Sequence, residues 1–290
     1  MPASINISTA AWFLILTALL SSVFQTIMII TGSIAGGGTH YIAGVMWAPA
    51  VAAVLTVYIK GLRADSLALG WGGARYAWGA YSTPLAYATV AYSVTWLLGL
   101  GSFPSPEGIA RLNTRLGWHL SDATFVPVYF VLIATTGMVG NVARALGEEI
   151  GWRGLLWSQW FPSMGFTKAS LLIGLVWSAS HVPGIVLADY TSGAPWWFTL
   201  PCFFVMVTAA SVILCWFRLK SNSVWPCAIL HASHNLFIQS FFTPLTGDRG
   251  GVTKYVIGEF GVALPIVVTL LAILFWLRRG DVESHTRIAA

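Results

Sequence analysis

The chain has 290 residues, of which 57% are hydrophobic and 9% are charged, and its mean hydropathy is +0.75. Its 15 Lys and Arg residues against 10 Asp and Glu residues give a formal net charge of +5. So few charges cannot cover the surface of a water-soluble protein of this length, so the composition excludes a soluble globular domain and predicts a polytopic membrane protein.

Eight apolar stretches are each about 20 residues long, which is sufficient for a helix to cross the roughly 30 Å hydrocarbon layer. We therefore predict an all-α bundle with about eight transmembrane helices. The first stretch is expected to be a retained helix rather than a signal peptide, because no basic residue precedes it and the apolar run is too long. The predicted spans are residues 10–31, 41–59, 78–100, 123–145, 168–188, 197–217, 224–243 and 255–277.

The distribution of Lys and Arg supports this number of spans, because cytoplasmic loops hold an excess of both residues. With the N-terminus inside, ten basic residues fall on the predicted inner side and four on the outer side, and Arg144 falls within the fourth span. We therefore predict that both termini are cytoplasmic, and we attribute the net charge to topology rather than to nucleic-acid binding. The short spans, the small size and the lack of organellar targeting signals favour a prokaryotic cell membrane. The inner residues are Lys60, Arg63, Arg75, Arg153, Lys168, Arg218, Lys220, Arg278, Arg279 and Arg287, and the outer ones are Arg111, Arg115, Arg249 and Lys254.

Polar residues at membrane depth are concentrated in the middle of the sequence. Residues 1–121 contain apolar spans and loops without catalytic spacing, residues 122–245 hold almost every polar group within a span, and residues 246–290 add a last span and a charged tail. The three cysteines lack the close spacing of a zinc or redox motif, so we interpret them as buried hydrophobic residues. We predict one membrane domain whose functional core is residues 122–245.

The first polar cluster is the stretch GEEIGWR at the inner end of the fourth span. Helix residues four apart share a face, so we predict Arg144 beside Glu148 and Arg153 beside Glu149. Adjacent helix residues differ by about 100° around the axis, so one glutamate can be held by Arg153 while the other faces a cavity. The alternative is a pair of ion pairs that only anchor the helix end.

The second cluster is WSASHVPG in the fifth span. Pro183 removes a backbone donor and is expected to interrupt the helix next to His181, which frees carbonyl groups to accept other hydrogen bonds. The alternative for His181 is a hydrogen bond that only joins two helices.

The third cluster is WPCAILHASHN in the seventh span. Pro226 is tolerated in the first turn of a helix, and His231 and Asn235 then lie four apart on one face, with His234 beside Asn235. Two histidines and an asparagine in one apolar helix are costly to desolvate unless they face a polar cavity. Interhelical packing is the alternative here too.

The three clusters lie on separate helices and can converge near the cytoplasmic side of the bilayer. We expect His181 and His231 to lie across from Glu148. A partly buried glutamate can take a proton from water, while imidazole orients that water. His231 and Asn235 are suited to stabilise the oxyanion of a tetrahedral intermediate.

These stretches resemble a known family of intramembrane endopeptidases. EEIGWR, WSASH and HASHN are similar to the motifs EExxxR, FxxxH and HxxxN of the CAAX-protease and bacteriocin-processing family, also called the ABI family, which includes the Ras-converting CAAX endopeptidases. For the first motif, the resemblance implies that Glu148 is the general base and that Glu149 and Arg153 are its orienting partners.

The other two motifs complete the implied site. The resemblance implies that His181 helps to bind and activate water, and that His231 and Asn235 form the oxyanion hole. Trp177 stands where the family usually has phenylalanine, which keeps an aromatic wall. His234 lies outside the motifs and is expected only to contact the other site residues.

A metal site is an alternative form of the same constellation. Glu148, His181 and His231 could present three ligands to zinc and leave one position for water. The chain lacks an HExxH helix, and asparagine is a poor zinc ligand, so we favour a site without a cofactor.

The sequence therefore predicts an intramembrane endopeptidase that cleaves near the cytoplasmic face. Its expected partners are the lipid bilayer and a peptide or membrane-protein substrate, with prenylated CAAX tails and pro-bacteriocins among the options of the family. Two alternatives stay open: a proton-coupled transporter, which also places Glu, His and Arg inside spans, and a non-proteolytic scaffold or immunity protein of the same family.

Overall fold

The computed structural model describes residues 8–34 and 39–280, and this part of the chain is helical and contains no β-strand. The all-α fold class is thereby confirmed. The expected positions of both termini, the end of the charged tail and part of the glycine-rich turn fall outside the described residues. The α-helices are α1 Thr9–Thr31, α2 Thr39–Ile59, α3 Ala74–Leu97, α4 Pro106–Leu116, α5 Asp122–Leu132, α6 Met138–Glu149, α7 Trp157–Ser180, α8 Val182–Leu187, α9 Trp196–Ser221, α10 Trp225–His234 and α11 Ala263–Leu277.

Four helical stretches of the described chain are long and apolar enough to cross a membrane. They are Thr9–Thr31, His40–Ile59, Asp122–Leu187 and Trp196–Ser221, and Ala263–Leu277 is a shorter apolar helix. These segments support an integral membrane protein. The number of eight spans stays a prediction.

The region of the fourth and fifth predicted spans is a nearly continuous helical stretch with four irregularities. Segments of π-helix at Ile133–Gly137 and Ile150–Leu156 separate α5, α6 and α7. Gly165 has φ 71° and ψ 177° inside α7, a backbone conformation that residues with a side chain rarely adopt, and it marks a kink in this helix. His181, with φ −91° and ψ −11°, separates α7 from α8, as the proline two residues later predicts.

Two elements differ from the predictions. The eighth span is predicted at residues 255–277, but α11 begins only at Ala263, after a turn segment in which Gly258 has φ 73°. The predicted outer loop contains α4, where the Ser105 hydroxyl accepts a hydrogen bond from the Gly108 amide at 3.0 Å. The residue after α4, Gly117, has φ 67° and closes the helix.

Helix α10 lies at the centre of the bundle and packs against α3, α6 and α9. On the other side of α6, Gly147 lets its backbone approach α2: a Cβ atom there would stand 2.7 Å from the Met46 carbonyl oxygen. The close approach of α2 and α6 therefore requires glycine at position 147. This contact also fixes the backbone next to Glu148.

Candidate active site

A cavity of about 300 Å³ lies among the central helices and contains side chains from all three polar clusters. Glu148 from α6, His181 from the end of α7, His231 from α10 and Asn235 from the next turn all line it. The structure thus brings these four predicted site residues together at one cavity. The roles assigned to them stay predictions.

Glu149 and Arg153 form the ion pair that their spacing predicts. Arg153 Nη1 lies 3.0 Å from Glu149 Oε1, and both side chains have no exposed surface. Arg218 of α9 donates from Nε to the carbonyl oxygen of Arg153 at 2.9 Å, and the Arg153 guanidinium carbon lies 4.3 Å from the centroid of the Trp177 ring. This ion pair therefore connects α6 with α7 and α9.

Glu148 has a different partner from the one predicted. The indole N–H of Trp177 donates to Glu148 Oε2 at 2.6 Å. Arg144 instead donates to Asn141 Oδ1 at 3.5 Å, and no ion pair between Arg144 and Glu148 forms within the described chain. The predicted pairing was wrong because Arg144 bonds to a residue one turn earlier in its own helix, whereas the Glu148 side chain bonds to an indole N–H on α7.

His231 also has a different partner from the one predicted. Its Nδ1 lies 2.9 Å from Glu149 Oε1, so the carboxylate that holds Arg153 also holds this ring, and Glu148 does not. Because Glu149 Oε1 accepts from Arg153 Nη1 and acts as acceptor here too, His231 Nδ1 carries the proton of this hydrogen bond. His231 Nε2 is the ring nitrogen left for other contacts on the cavity wall.

His181 uses a backbone group that the helix end has released. Its own amide donates to the Ser178 carbonyl oxygen at 3.1 Å, so the Trp177 carbonyl loses its helical donor. The Ser180 hydroxyl, at 2.7 Å, and the ring nitrogen Nδ1 of His181, at 2.9 Å, contact the Trp177 oxygen instead. A carbonyl only accepts, so Nδ1 bears the proton, and in the neutral ring Nε2 keeps a free lone pair.

Asn235 lies at a change of helical geometry. Residues Asn235–Phe242 form a π-helix directly after α10, and such segments often occur at functional sites. The Asn235 side chain is partly exposed and makes no hydrogen bond within the described residues, so its amide is available to a molecule in the cavity.

A second polar group in the same cavity was missed by the sequence reasoning. His234 Nε2 lies 2.8 Å from Glu259 Oε1, and Nδ1 lies 2.5 Å from the Tyr87 hydroxyl. Glu259 also accepts from Gln239 Nε2 and from the Tyr190 hydroxyl, each at 3.0 Å. The sequence did contain a sign of this polar group, since Glu259 is the one charged residue of the predicted span 255–277 and charged residues within spans are often functional.

The arrangement was also tested for a metal. Within the described residues, no group of three or more His, Cys, Asp and Glu side chains has a geometry that could hold an ion. His181 and His231 each use Nδ1 for a protein contact, and Glu148 uses one oxygen for Trp177. In the described part of the chain, these contacts leave Nε2 of each ring and Oε1 of Glu148 without a protein partner, so the preference for a site without a cofactor stays a prediction.

Comparison with known proteins gives a consistent result. Residues 117–237 match the family model described as type II CAAX prenyl endopeptidase Rce1-like. Residues 117–237, less than half of the chain, are thus similar to the CAAX protease family.

A curated relative agrees with this CAAX protease assignment. The chain is 29% identical over 140 residues to "CAAX prenyl protease 2" of Methanococcus maripaludis, which corresponds to 47% of this chain and 48% of the relative. The chain thus matches about half the length of that protein. The matched CAAX protease segment includes Glu148, His181, His231 and Asn235, whereas Glu259 lies beyond it.

Proposed function

We propose that this protein is an intramembrane endopeptidase in which Glu148 removes a proton from the attacking water. The convergence of Glu148, His181, His231 and Asn235 on one cavity carries the proposal. The match of residues 117–237 to the CAAX protease family supports it.

The water is bound between two acceptors. Trp177 occupies Glu148 Oε2, so Oε1 is the oxygen that faces the water. His181 accepts the second O–H through Nε2, because its Nδ1 proton is directed to the Trp177 carbonyl. With both protons directed away, a lone pair of the water is free to attack a peptide carbonyl.

The oxyanion is bound on the other wall of the cavity. Asn235 supplies an amide N–H, and His231 supplies Nε2–H in its doubly protonated form. The Glu149 carboxylate, 2.9 Å from His231 Nδ1, balances that charge. Donors fixed before the reaction stabilise the developing charge without reorganisation, which is the main catalytic benefit of an oxyanion hole.

Glu148 then transfers the proton to the leaving amine. When the water oxygen bonds to the carbonyl carbon, Glu148 holds the proton that was removed. It donates this proton to the amide nitrogen as the C–N bond breaks, which gives a free amine and a carboxylic acid that ionises. Glu148 thus acts first as general base and then as general acid.

The substrate is proposed to be a peptide or membrane-protein tail with an apolar or prenylated residue near the cleaved bond. Met28 of α1 and Val45 and Met46 of α2 form an apolar wall of the cavity. His231 lies six residues after the start of α10, about 9 Å along the helix, and the Lys and Arg pattern predicts that end to be cytoplasmic. We therefore propose that cleavage occurs close to the cytoplasmic face.

The test uses purified protein in detergent with quenched fluorescent peptides that end in a CAAX sequence, with and without a farnesyl group. We expect Glu148→Gln to lower kcat by about 100- to 10,000-fold, the usual contribution of a general base, with the fold intact. The matched control is Glu107→Gln, which changes an exposed glutamate in α4 and should leave kcat unchanged. Wild-type cleavage by Glu148→Gln, or solute flux that needs Glu148 without any cleavage, would contradict the proposal.

A further inference from the structure

Trp177 differs from a phenylalanine in this position by one hydrogen-bond donor, and that donor is used. Its indole N–H lies 2.6 Å from Glu148 Oε2, and both side chains are 6% exposed. Hydrogen bonds to a carboxylate in a water-poor environment are short and strong. The tryptophan therefore does more than form an aromatic wall.

Trp177 also contacts every other cluster of the site. The Arg153 guanidinium carbon lies over its ring, 4.3 Å from the ring centroid. The His231 ring packs edge-on against it, with ring centroids 5.1 Å apart. Its carbonyl oxygen accepts the His181 Nδ1 proton at 2.9 Å. One residue of α7 thus contacts groups from α6, from α10 and from its own helix end.

Glu148 has no second anchor within the described residues. The cation expected beside it, Arg144, bonds to Asn141, and Glu149 takes the bonds of Arg153 and His231. A glutamate side chain has three rotatable bonds, so without Trp177 it could adopt other rotamers in a 300 Å³ cavity. The indole N–H is what selects one of them.

We propose that Trp177 is a positioning residue that fixes the Glu148 carboxylate through its indole N–H, with Oε1 directed at the water. This inference rests on the proposed function. A positioning role predicts that loss of the N–H lowers kcat and leaves substrate binding nearly unchanged, because the N–H contacts the base and not the substrate.

The kinetic test is Trp177→Phe. We expect kcat to fall about 10- to 100-fold, the effect of a small displacement of a catalytic group, with KM within about threefold of wild type. The matched control is Trp157→Phe, which makes the same change in a buried tryptophan of α7 that stacks on Phe161 and does not line the cavity. Unchanged kcat in Trp177→Phe, or an equal loss in both variants, would overturn the proposal.

A second variant covers the case that Trp177→Phe does not fold. Replacement of Trp177 by 3-benzothienylalanine keeps the shape of the indole and exchanges its N–H for sulfur, so the same fall in kcat is expected without a cavity. Wild-type kcat in this variant would refute the role of the N–H.

A spectroscopic test does not depend on activity. In protein labelled with ¹⁵N-indole tryptophan, the Trp177 N–H resonance is the one absent from Trp177→Phe. We expect it to move in Glu148→Gln, while the Trp157 resonance, assigned in the same way, stays in place. A Trp177 resonance that does not respond to Glu148→Gln would overturn the proposed contact. Full activity of Glu148→Gln with a shifted resonance would instead refute the proposed function and leave the contact intact.

Discussion

Removal of one charge from the Glu149–Arg153 pair tests the packing of this site most directly. Both side chains have no exposed surface, and no other acidic side chain pairs with Arg153 in the described chain. Arg153→Met therefore leaves a buried carboxylate with His231 as its remaining cationic partner, and Glu149→Gln leaves a buried guanidinium without an anion. Each is the case in which a buried ion pair is broken rather than replaced.

The expected size of the effect follows from this burial. Loss of one partner of a buried pair typically costs about 3–5 kcal/mol in the free energy of unfolding, because the other charge stays desolvated. Glu149→Gln should lie near the lower end, since the Trp177 ring still faces the guanidinium at 4.3 Å and contributes about 1–2 kcal/mol. The double variant Glu149→Gln/Arg153→Met buries no unpaired charge of this pair, so it should cost less than either single change.

The measurement is unfolding in mixed micelles with increasing SDS, followed by tryptophan fluorescence and compared across the four proteins of the double-mutant cycle. A negative coupling, in which the double variant is more stable than Arg153→Met alone, is the expected result. If the double variant loses about the sum of the two single changes, then the pair does not act as a buried ion pair and the reasoning fails.

Three further predictions concern the same core. Gly147→Ala should lower the free energy of unfolding by about 1–3 kcal/mol, because its Cβ would stand 2.7 Å from the Met46 carbonyl oxygen. The control Gly140→Ala has open space around its Cβ and should leave the midpoint of SDS unfolding unchanged. Glu259→Gln should cost about 1–3 kcal/mol, and adding His234→Ala should cost less than the separate sum; full additivity would contradict the network. Chelation by 1,10-phenanthroline should leave kcat unchanged, and a loss that added zinc restores would favour a metal-dependent site.

Local spacing was sufficient for part of the candidate site. The Glu149–Arg153 pair forms as predicted because a four-residue spacing places both side chains on one helix face. The same rule failed for Arg144 and Glu148, since spacing makes a contact available but does not exclude a better partner from another helix. Trp177 is 29 residues from Glu148 in the chain, a distance at which periodicity carries no information.

Helix geometry explains why other contacts could not be derived. The π-helical segments after Glu149 and at Asn235 change the rotation of the chain, so an ideal 100° step no longer predicts which helix each side chain faces. His231 accordingly contacts Glu149, although the sequence analysis expected it across from Glu148.

The sequence alone was sufficient to predict the all-helical membrane class, because burial of apolar surface in a bilayer depends on the composition of each stretch. Motif spacing also predicted four residues that line the cavity, Glu148, His181, His231 and Asn235. Only the tertiary structure decided the partners of each group: Trp177 for Glu148, Glu149 for His231 and Glu259 for His234. These pairs join separate helices, and their choice depends on helix rotation and close packing in three dimensions, which no local pattern encodes.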